Sequence, residues 1–521
     1  MLNYWWVTRP KRKLSSIPEV LACCSSVSLH SEWQGNLYTH LAFEKALEDW
    51  GLKRVGERRD QRGGGGRTYY AWLFSLGLVF THEATGQTML TLAGEALVDS
   101  KDPVGVLRGQ ILKYQFPSPF SLSPASSKSR VHERFKIRPF RFLLKLLRDE
   151  RLDYKLSQEE IGRIVAVEAC NEKEETYEYV VRRILAYRES GIAVLSDDYF
   201  ELYAPSTGKV NIAHPYSHLD DLANTLINWL EYTQFIDRDE EEIRILPERV
   251  TDVDAVLNDG AKLIDRPNEQ EYFQRKYGLD PGHTKDTRNL SQTRTITPAI
   301  ISEHLVKQAF ISLSMRRPVS SINVEVINEI AMRTGLPSRE AEEILLRLYP
   351  NGAVGAFMAK YFEMAFKGRQ DAVEFKKATA ALFRDVFGFK SEHTGLSSLT
   401  PDVLLVSDSE GYQAIVDNKA YRKYTISNDH HNRMVRNYIG GLSNYSSEQY
   451  PLAFFSCIAG GFGSNIDKQV KQIVQQTGVH GCAVTVSNII KMIEKHQKAP
   501  YSHARLREVF SCDRQVQSSD L

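Results

Sequence analysis

Cysteine is scarce in this chain and follows no metal or disulfide pattern. Its six residues, Cys23, Cys24, Cys170, Cys457, Cys482 and Cys512, include no CxxC pair, and no histidines stand at zinc-finger spacing. Structural zinc is therefore not expected, and reduced thiols fit a cytoplasmic protein. No apolar run reaches the ~20 residues that span a bilayer. The first residues, MLNYWWVTRPKRK, lack the apolar core of a signal peptide, so no membrane partner is expected. Charge of one sign is also missing: 66 Lys and Arg stand against 65 Asp and Glu, a net charge of +1. That excludes a globally basic nucleic-acid binder but leaves room for local asymmetry. Four consecutive glycines at 63–66 are not followed by G-K-[ST], which rules out a phosphate-binding P-loop. At 521 residues, with ordinary soluble composition, the chain has the length of several domains.

The chemistry is concentrated in residues 401–420, PDVLLVSDSEGYQAIVDNKA. Two apolar runs, 403–406 and 412–416, flank a polar turn at 407–411, the pattern of a β-hairpin. Side chains two apart share a face of a strand, so Asp417 and Lys419 lie on one side. With Ser409 and Glu410 at the tip, antiparallel pairing sets Asp402 opposite Asp417, with Cβ atoms roughly 5 Å apart. Two carboxylates that close repel unless something positive lies between them. Hard oxygen ligands with room for water suit Mg²⁺. Asp402 and Asp417 are the expected ligands, with the Asn418 carbonyl as a candidate third. Lys419 is expected to orient water or offset charge at a phosphate.

The spacing PD–x14–D–x–K is the PD-(D/E)xK nuclease pattern. IVDNKAY, preceded by DVFGFK, resembles the cleavage domain of FokI-type type IIS restriction endonucleases. The resemblance implies that Asp402, Asp417 and Lys419 are catalytic and that Mg²⁺ is the cofactor. Glu374, on the helix expected before the hairpin, is the candidate for an acidic residue that some relatives place there. The segment NDHHNRMVRNYI (428–439) takes the position of the helix through which two such domains pair. Met434 and Arg436 fit that helix, while Asn432 stands where an acidic residue is expected. His430, His431 and Asn432 also suggest an HNH nuclease, but no ββα-metal frame surrounds them. One domain holds one site and cuts one strand. Cleavage of a duplex then implies a transient homodimer or a second nuclease subunit. A restriction–modification system further implies a cognate methyltransferase and a bacterial cytoplasm.

Upstream, basic residues cluster locally. Lys53, Arg54, Arg58, Arg59, Arg62 and Arg67 surround the glycine run, which reads as a mobile loop, too flexible for helix or strand, that meets DNA phosphates. A helix at 68–76, an apolar segment, a turn near 82–87, a second strand and LAGEALV follow in winged-helix order. In that motif the helix before the wing enters the major groove, and Arg67, Thr68, Tyr69 and Tyr70 would open it. Between 128 and 148, Lys128, Arg130, Arg134, Lys136, Arg138, Arg141, Lys145 and Arg148 stand against Glu133, with Phe140, Phe142, Leu143, Leu144 and Leu147 interleaved on a helix. Ser157 and Glu160 form a capping signature. Residues 219–258 repeat the winged-helix-like order with an acidic turn, DRDEEE, and 260–298 read as a linker or irregular loop. The element order over 1–260, with WLEYTQFI and IRILPE, resembles the recognition region of AlwI-type restriction and nicking enzymes.

The expected architecture is multidomain. Residues 1–118 form a winged-helix-like DNA recognition subdomain and 119–215 a helix-rich one. Residues 216–350 form a third winged-helix-like subdomain with a linker, and 351–521 an α/β nuclease with core order α-β-β-β-α-β. The expected function is a type IIS restriction endonuclease that recognises double-stranded DNA and cuts at a fixed distance from its site. The rival readings are a strand-specific nicking endonuclease, a repair or transposition nuclease, and a non-catalytic DNA-binding regulator. The intact Asp402, Asp417 and Lys419 argue against the last.

Overall fold

A computed structural model describes residues 1–29, 31–55, 61–99, 102–122, 130–239, 241–290, 297–366, 372–394 and 399–521. The chain divides into two units: Met1–Ser312 with Ile322–Pro350, and Leu313–Ser321 with Asn351–Leu521.

The first unit is mostly helical. Its glycine run overturns the expectation of a flexible loop, because Gly64–Ser75 is a helix that begins inside it. The glycines are there for close packing on the helix Leu37–Asp49. A Cβ on Gly66 would lie 2.5 Å from the His40 carbonyl oxygen, and one on Gly65 would lie 2.4 Å from Glu44 Oε1. Gly63, at φ +72°, makes the left-handed entry to the helix. The strands Val79–Thr81 and Thr88–Leu90 then pair antiparallel and lead into the helix Leu92–Val98, the expected order of elements. Tyr69 and Tyr70 are both buried rather than presented outward. The Tyr69 hydroxyl donates to the Leu52 carbonyl, and Tyr70 stacks on Trp33.

The helix Pro139–Leu146 is buried nearly all round, with Arg141 as well as Phe140, Phe142, Leu143 and Leu144 out of solvent, instead of burying one apolar stripe and offering its bases on the other face. Ser157 and Glu160 make the capping box. The strand Lys155–Ser157 pairs with Glu242–Ile245, which also pairs with Ile236–Asp239. Residues 119–215 and 216–350 therefore share one sheet. The stretch expected to be a linker holds a helix, Gln270–Tyr277, with Phe273 and Tyr277 in the core. Lys113 fastens its end by donating to the Tyr277 and Leu279 carbonyls.

The second unit is an α/β domain. Its elements are α1 (Gly355–Ala365), α2 (Ala372–Asp385), β1 (Lys390–His393), β2 (Val403–Ser407), β3 (Tyr412–Asn418), α3 (Asn428–Arg433, continued by a π-helix, Met434–Ile439), β4 (Leu452–Ala459), α4 (Ile466–Thr477), β5 (His480–Thr485), α5 (Val486–His496) and α6 (His503–Phe510). The sheet order is β5-β4-β3-β2-β1; β3–β4 and β4–β5 are parallel and the rest antiparallel. The strands expected from the apolar runs are present. The edge strand β1, the helix α1 and α5 after the last strand were not expected. Every residue of β2 and β3 is buried, as strands covered on both faces must be. Leu404, Val406, Ile415, Phe455 and Cys457 pack on one face against Met434, Tyr438, Val470 and Ile473. Met434, expected at a dimer interface, is a core residue with no exposed surface. On the other face lies α2, and α6 stacks Phe510 on Phe454. No helix of the described residues is long and apolar enough to cross a membrane.

Candidate active site

The hairpin register pairs Val403 with Val416, so the next positions, Asp402 and Asp417, face each other across the open end. Both are buried, Asp402 at 4% exposure and Asp417 at 1%. The Asn418 backbone N–H donates to Asp402 Oδ2 at 2.7 Å, and Lys376 Nζ of α2 lies 2.6 Å from Asp402 Oδ1. Asp417 Oδ2 faces two bases, Lys419 Nζ at 2.5 Å and His430 Nε2 at 2.8 Å. These are ion-pair approaches without hydrogen-bond alignment, so both buried Asp417 oxygens lack an aligned donor. Asn418 points away from this cluster. Its Nδ2 donates to Thr379 Oγ1 at 2.6 Å, which in turn meets the Tyr361 hydroxyl. The Lys419 N–H donates to the Ile458 carbonyl and carries the β3–β4 pairing past the site.

The two carboxyls are driven apart in acidity. Burial, then the Asp417 charge, pushes Asp402 up to about 6, against the pull of Lys419 and Lys376. Burial also works against an ionised Asp417, but the charges of Lys419 and His430 outweigh it and hold the acid well below the usual carboxylate range. Burial opposes the Lys419 ammonium, and the Asp417 and Asp402 charges overcome it, so its pKa rises. Burial thus dominates at Asp402, while the neighbouring positive groups dominate at Asp417.

Two buried carboxylates, one without an aligned donor, fit a hard divalent cation. Among the described residues no group of three or more His, Cys, Asp or Glu could hold a metal ion. Asp402 and Asp417 are therefore the protein carboxylates available, and other oxygens would have to complete the shell.

Glu374 does not join the site. It is 64% exposed and lies beside Lys377 at 3.4 Å. The α2 residue that does reach the carboxylates is Lys376. Sequence reasoning missed Lys376 and set His430 aside with the HNH motif. The available signal was helical phase, since positions 374 and 376 lie roughly 200° apart around a helix.

Residues 335–517 match the family of the FokI cleavage domain, and residues 109–272 match the N-terminal domain of the type II restriction endonuclease HgaI. The chain is a type IIS restriction endonuclease. It is a site-specific deoxyribonuclease, with the cleavage-domain match in its C-terminal part. The N-terminal family match is to HgaI. Solved structures of FokI, alone and bound to DNA, align over 99% of this chain and 99% of theirs at 13% identity, with TM-scores of 0.29 and 0.28. The BpuJ1 endonuclease binding domain, in complex with modified DNA, aligns over 52% of this chain and 96% of its own at 15% identity and a TM-score of 0.37. No curated protein matches the chain.

The expected DNA contacts of this endonuclease are scattered in environment. Arg58, Arg59 and Lys128 lie outside the described residues. Arg62, Arg67 and Lys136 are exposed, and Arg130 is half-buried. Arg138 is committed within the fold, donating to Glu172 and to the Ala261 carbonyl, and Tyr69 is a packing residue. Arg141, Lys145 and Arg148 of the same basic stretch pair with Asp259, Glu174 and Asp254. Most of that stripe therefore holds the fold together. Arg436 is exposed.

Proposed function

We propose that Asp402, Asp417 and Lys419 are the catalytic residues of a PD-(D/E)xK nuclease site, with Mg²⁺ held by the two carboxylates. The observation that carries this is the pair of buried carboxylates facing each other at the end of the hairpin, with the Lys419 ammonium on one of them. When bound, the metal supplies Lewis acidity and lowers the pKa of bound water. Lys419 holds the attacking water or offsets charge on the phosphate, in a buried setting where such a charge acts strongly. Lys376 adds a second ammonium beside Asp402.

Recognition belongs to the N-terminal unit, whose two helix–strand–turn–strand–helix stretches act as winged-helix-like modules on duplex DNA. Exposed Arg62, Arg67 and Lys136 supply phosphate contacts. Cutting falls at a fixed distance outside the recognised site. A single hairpin site cuts a single strand, so a transient homodimer or a second nuclease subunit completes the double-strand break, with exposed Arg436 rather than Met434 available to the contact. A cognate methyltransferase protects the host DNA.

Incubation with plasmid and Mg²⁺ tests this reading. A linear product with defined ends is expected, and nicked circles alone would favour a strand-specific nickase. Asp417→Ala should abolish cleavage and leave duplex binding intact. Surviving cleavage in that variant would overturn the site.

A further inference from the structure

We propose that His430 and Tyr424 are positioning residues that set the Asp417 carboxylate for cation binding, a role resting on Asp417 being a metal ligand. His430 is 1% exposed and directs Nε2 to within 2.8 Å of Asp417 Oδ2, while its Nδ1 shares a hydrogen bond with the Tyr424 hydroxyl. A neutral imidazole has one donor and one acceptor nitrogen. A tautomer with its lone pair facing Asp417 would oppose two electron-rich atoms, so the proton belongs on Nε2. Nδ1 is then the acceptor and the Tyr424 hydroxyl the donor. In the doubly protonated form Nε2 still carries a proton toward Asp417. Burial raises the Tyr424 pKa, which keeps the phenol protonated for this donation.

The surrounding chain is built to hold the ring. The Tyr424 N–H donates to the Gly461 carbonyl, and the Gly463 N–H donates to the Tyr424 carbonyl. The Gln469 amide clamps Ile426 on both backbone groups, at 3.1 Å and 2.8 Å. Ser427 caps α3 by accepting from the His430 N–H. One turn later the helix widens into the π-helix Met434–Ile439 and buries Met434 and Tyr438 in the core. Such π-turns occur often at functional sites. The Tyr438 ring lies edge-on to His430 at 6.4 Å.

The consequence falls on the two oxygens of Asp417. Both bases, Lys419 and His430, approach Oδ2. Neither oxygen has an aligned donor, and Oδ1, the one these two ion pairs do not use, remains for the cation. Groups behind a ligating side chain that fix its orientation typically change metal affinity or activity by about 10–100-fold when removed.

The test is Mn²⁺ binding to the full chain, followed by loss of the free-ion paramagnetic resonance signal, beside the Mn²⁺ concentration for half-maximal plasmid cleavage. His430→Ala should weaken Mn²⁺ binding about 10–100-fold at an unchanged melting temperature. His430→Gln, whose amide N–H reaches a similar place, should recover most of that loss, and Tyr424→Phe should fall between. A folded His430→Ala protein that binds Mn²⁺ within about twofold of wild type overturns the proposal, as does His430→Gln losing as much as His430→Ala. Should His430→Ala fail to fold, wild-type Mn²⁺ affinity in Tyr424→Phe overturns it instead. Asp417→Ala separates the two levels: if its Mn²⁺ affinity equals wild type, the metal reading itself fails.

Discussion

Asp402 and Asp417 share one space but titrate in opposite directions. Asp402 keeps its proton in the folded state up to about 6, whereas the unfolded chain loses it near the ordinary 3.8. Between those values the native state binds more protons, so this group's contribution to stability is lost as pH rises through the interval. Asp402→Asn removes the effect and preserves an acceptor for the Asn418 N–H. In chelator, the variant should therefore gain melting temperature over wild type as pH rises from about 4 to about 6, with a constant gap above that. A shift of this size corresponds to about 1–3 kcal/mol. A gap that does not change with pH would refute the raised Asp402 pKa. The same variant should lose cleavage, because its ligand charge is gone. Lys376 belongs to this scale too: Lys376→Met removes the Asp402 partner and should slow plasmid cleavage more than Glu374→Gln, which lies on the exposed face of α2.

At the scale of elements, close contact rather than flexibility explains the glycine run. Two helical glycines give opposite predictions for the same substitution. Gly109, in the helix Pro103–Lys113, has nothing within 4 Å of an added Cβ, so Gly109→Ala should raise stability by about 0.5–1 kcal/mol through helix propensity. Gly66→Ala gains the same propensity but drives a methyl to 2.5 Å from the His40 carbonyl, and overpacking of this kind costs about 1–3 kcal/mol. Urea unfolding should show the first midpoint rise and the second fall. The edge strand β1 escaped notice for a physical reason. Its residues, Lys390–His393, are mixed polar and pair on one side only, so they carry no apolar run. Polar, lysine-bearing edges of this kind also discourage pairing with other chains. The hairpin tip is tied down by a residue far away in sequence: His503 of α6 stacks on Phe389 and meets Ser407 Oγ at 2.7 Å.

At the scale of the whole molecule, the cleavage unit includes a segment that precedes it in the chain. Residues 313–321 belong to it through Val319, whose carbonyl accepts from the Ala353 N–H at 2.6 Å. Gly352 sits so close that a Cβ there would lie 2.2 Å from the Val319 oxygen. A fragment of residues 313–521 should therefore melt at a higher temperature than one of 355–521. Both should cut plasmid with Mg²⁺ at no preferred sequence, read by sequencing the ends. Retained site specificity in either fragment would contradict the division between recognition and cleavage.

The sequence by itself determined the hairpin, its register and the positions of Asp402, Asp417 and Lys419, because strand alternation and a short turn are local properties. It also determined the helices whose apolar period is regular, and the likeness to FokI-type cleavage domains. Only the tertiary structure decided which further bases reach the carboxylates. Lys376 arrives by the phase of α2, and His430 by a capped helix clamped through Gln469, and neither placement follows from neighbouring residues. The same holds for the basic stripe: Arg138 and Arg141 look like phosphate ligands until the acids that pair with them, 34 and 118 residues away, are brought alongside. Burial changed the hairpin as well. Two carboxylates read as a metal site became an unequal pair, one readily protonated and one held ionised, because burial dominates at Asp402 while Lys419 and His430 outweigh it at Asp417.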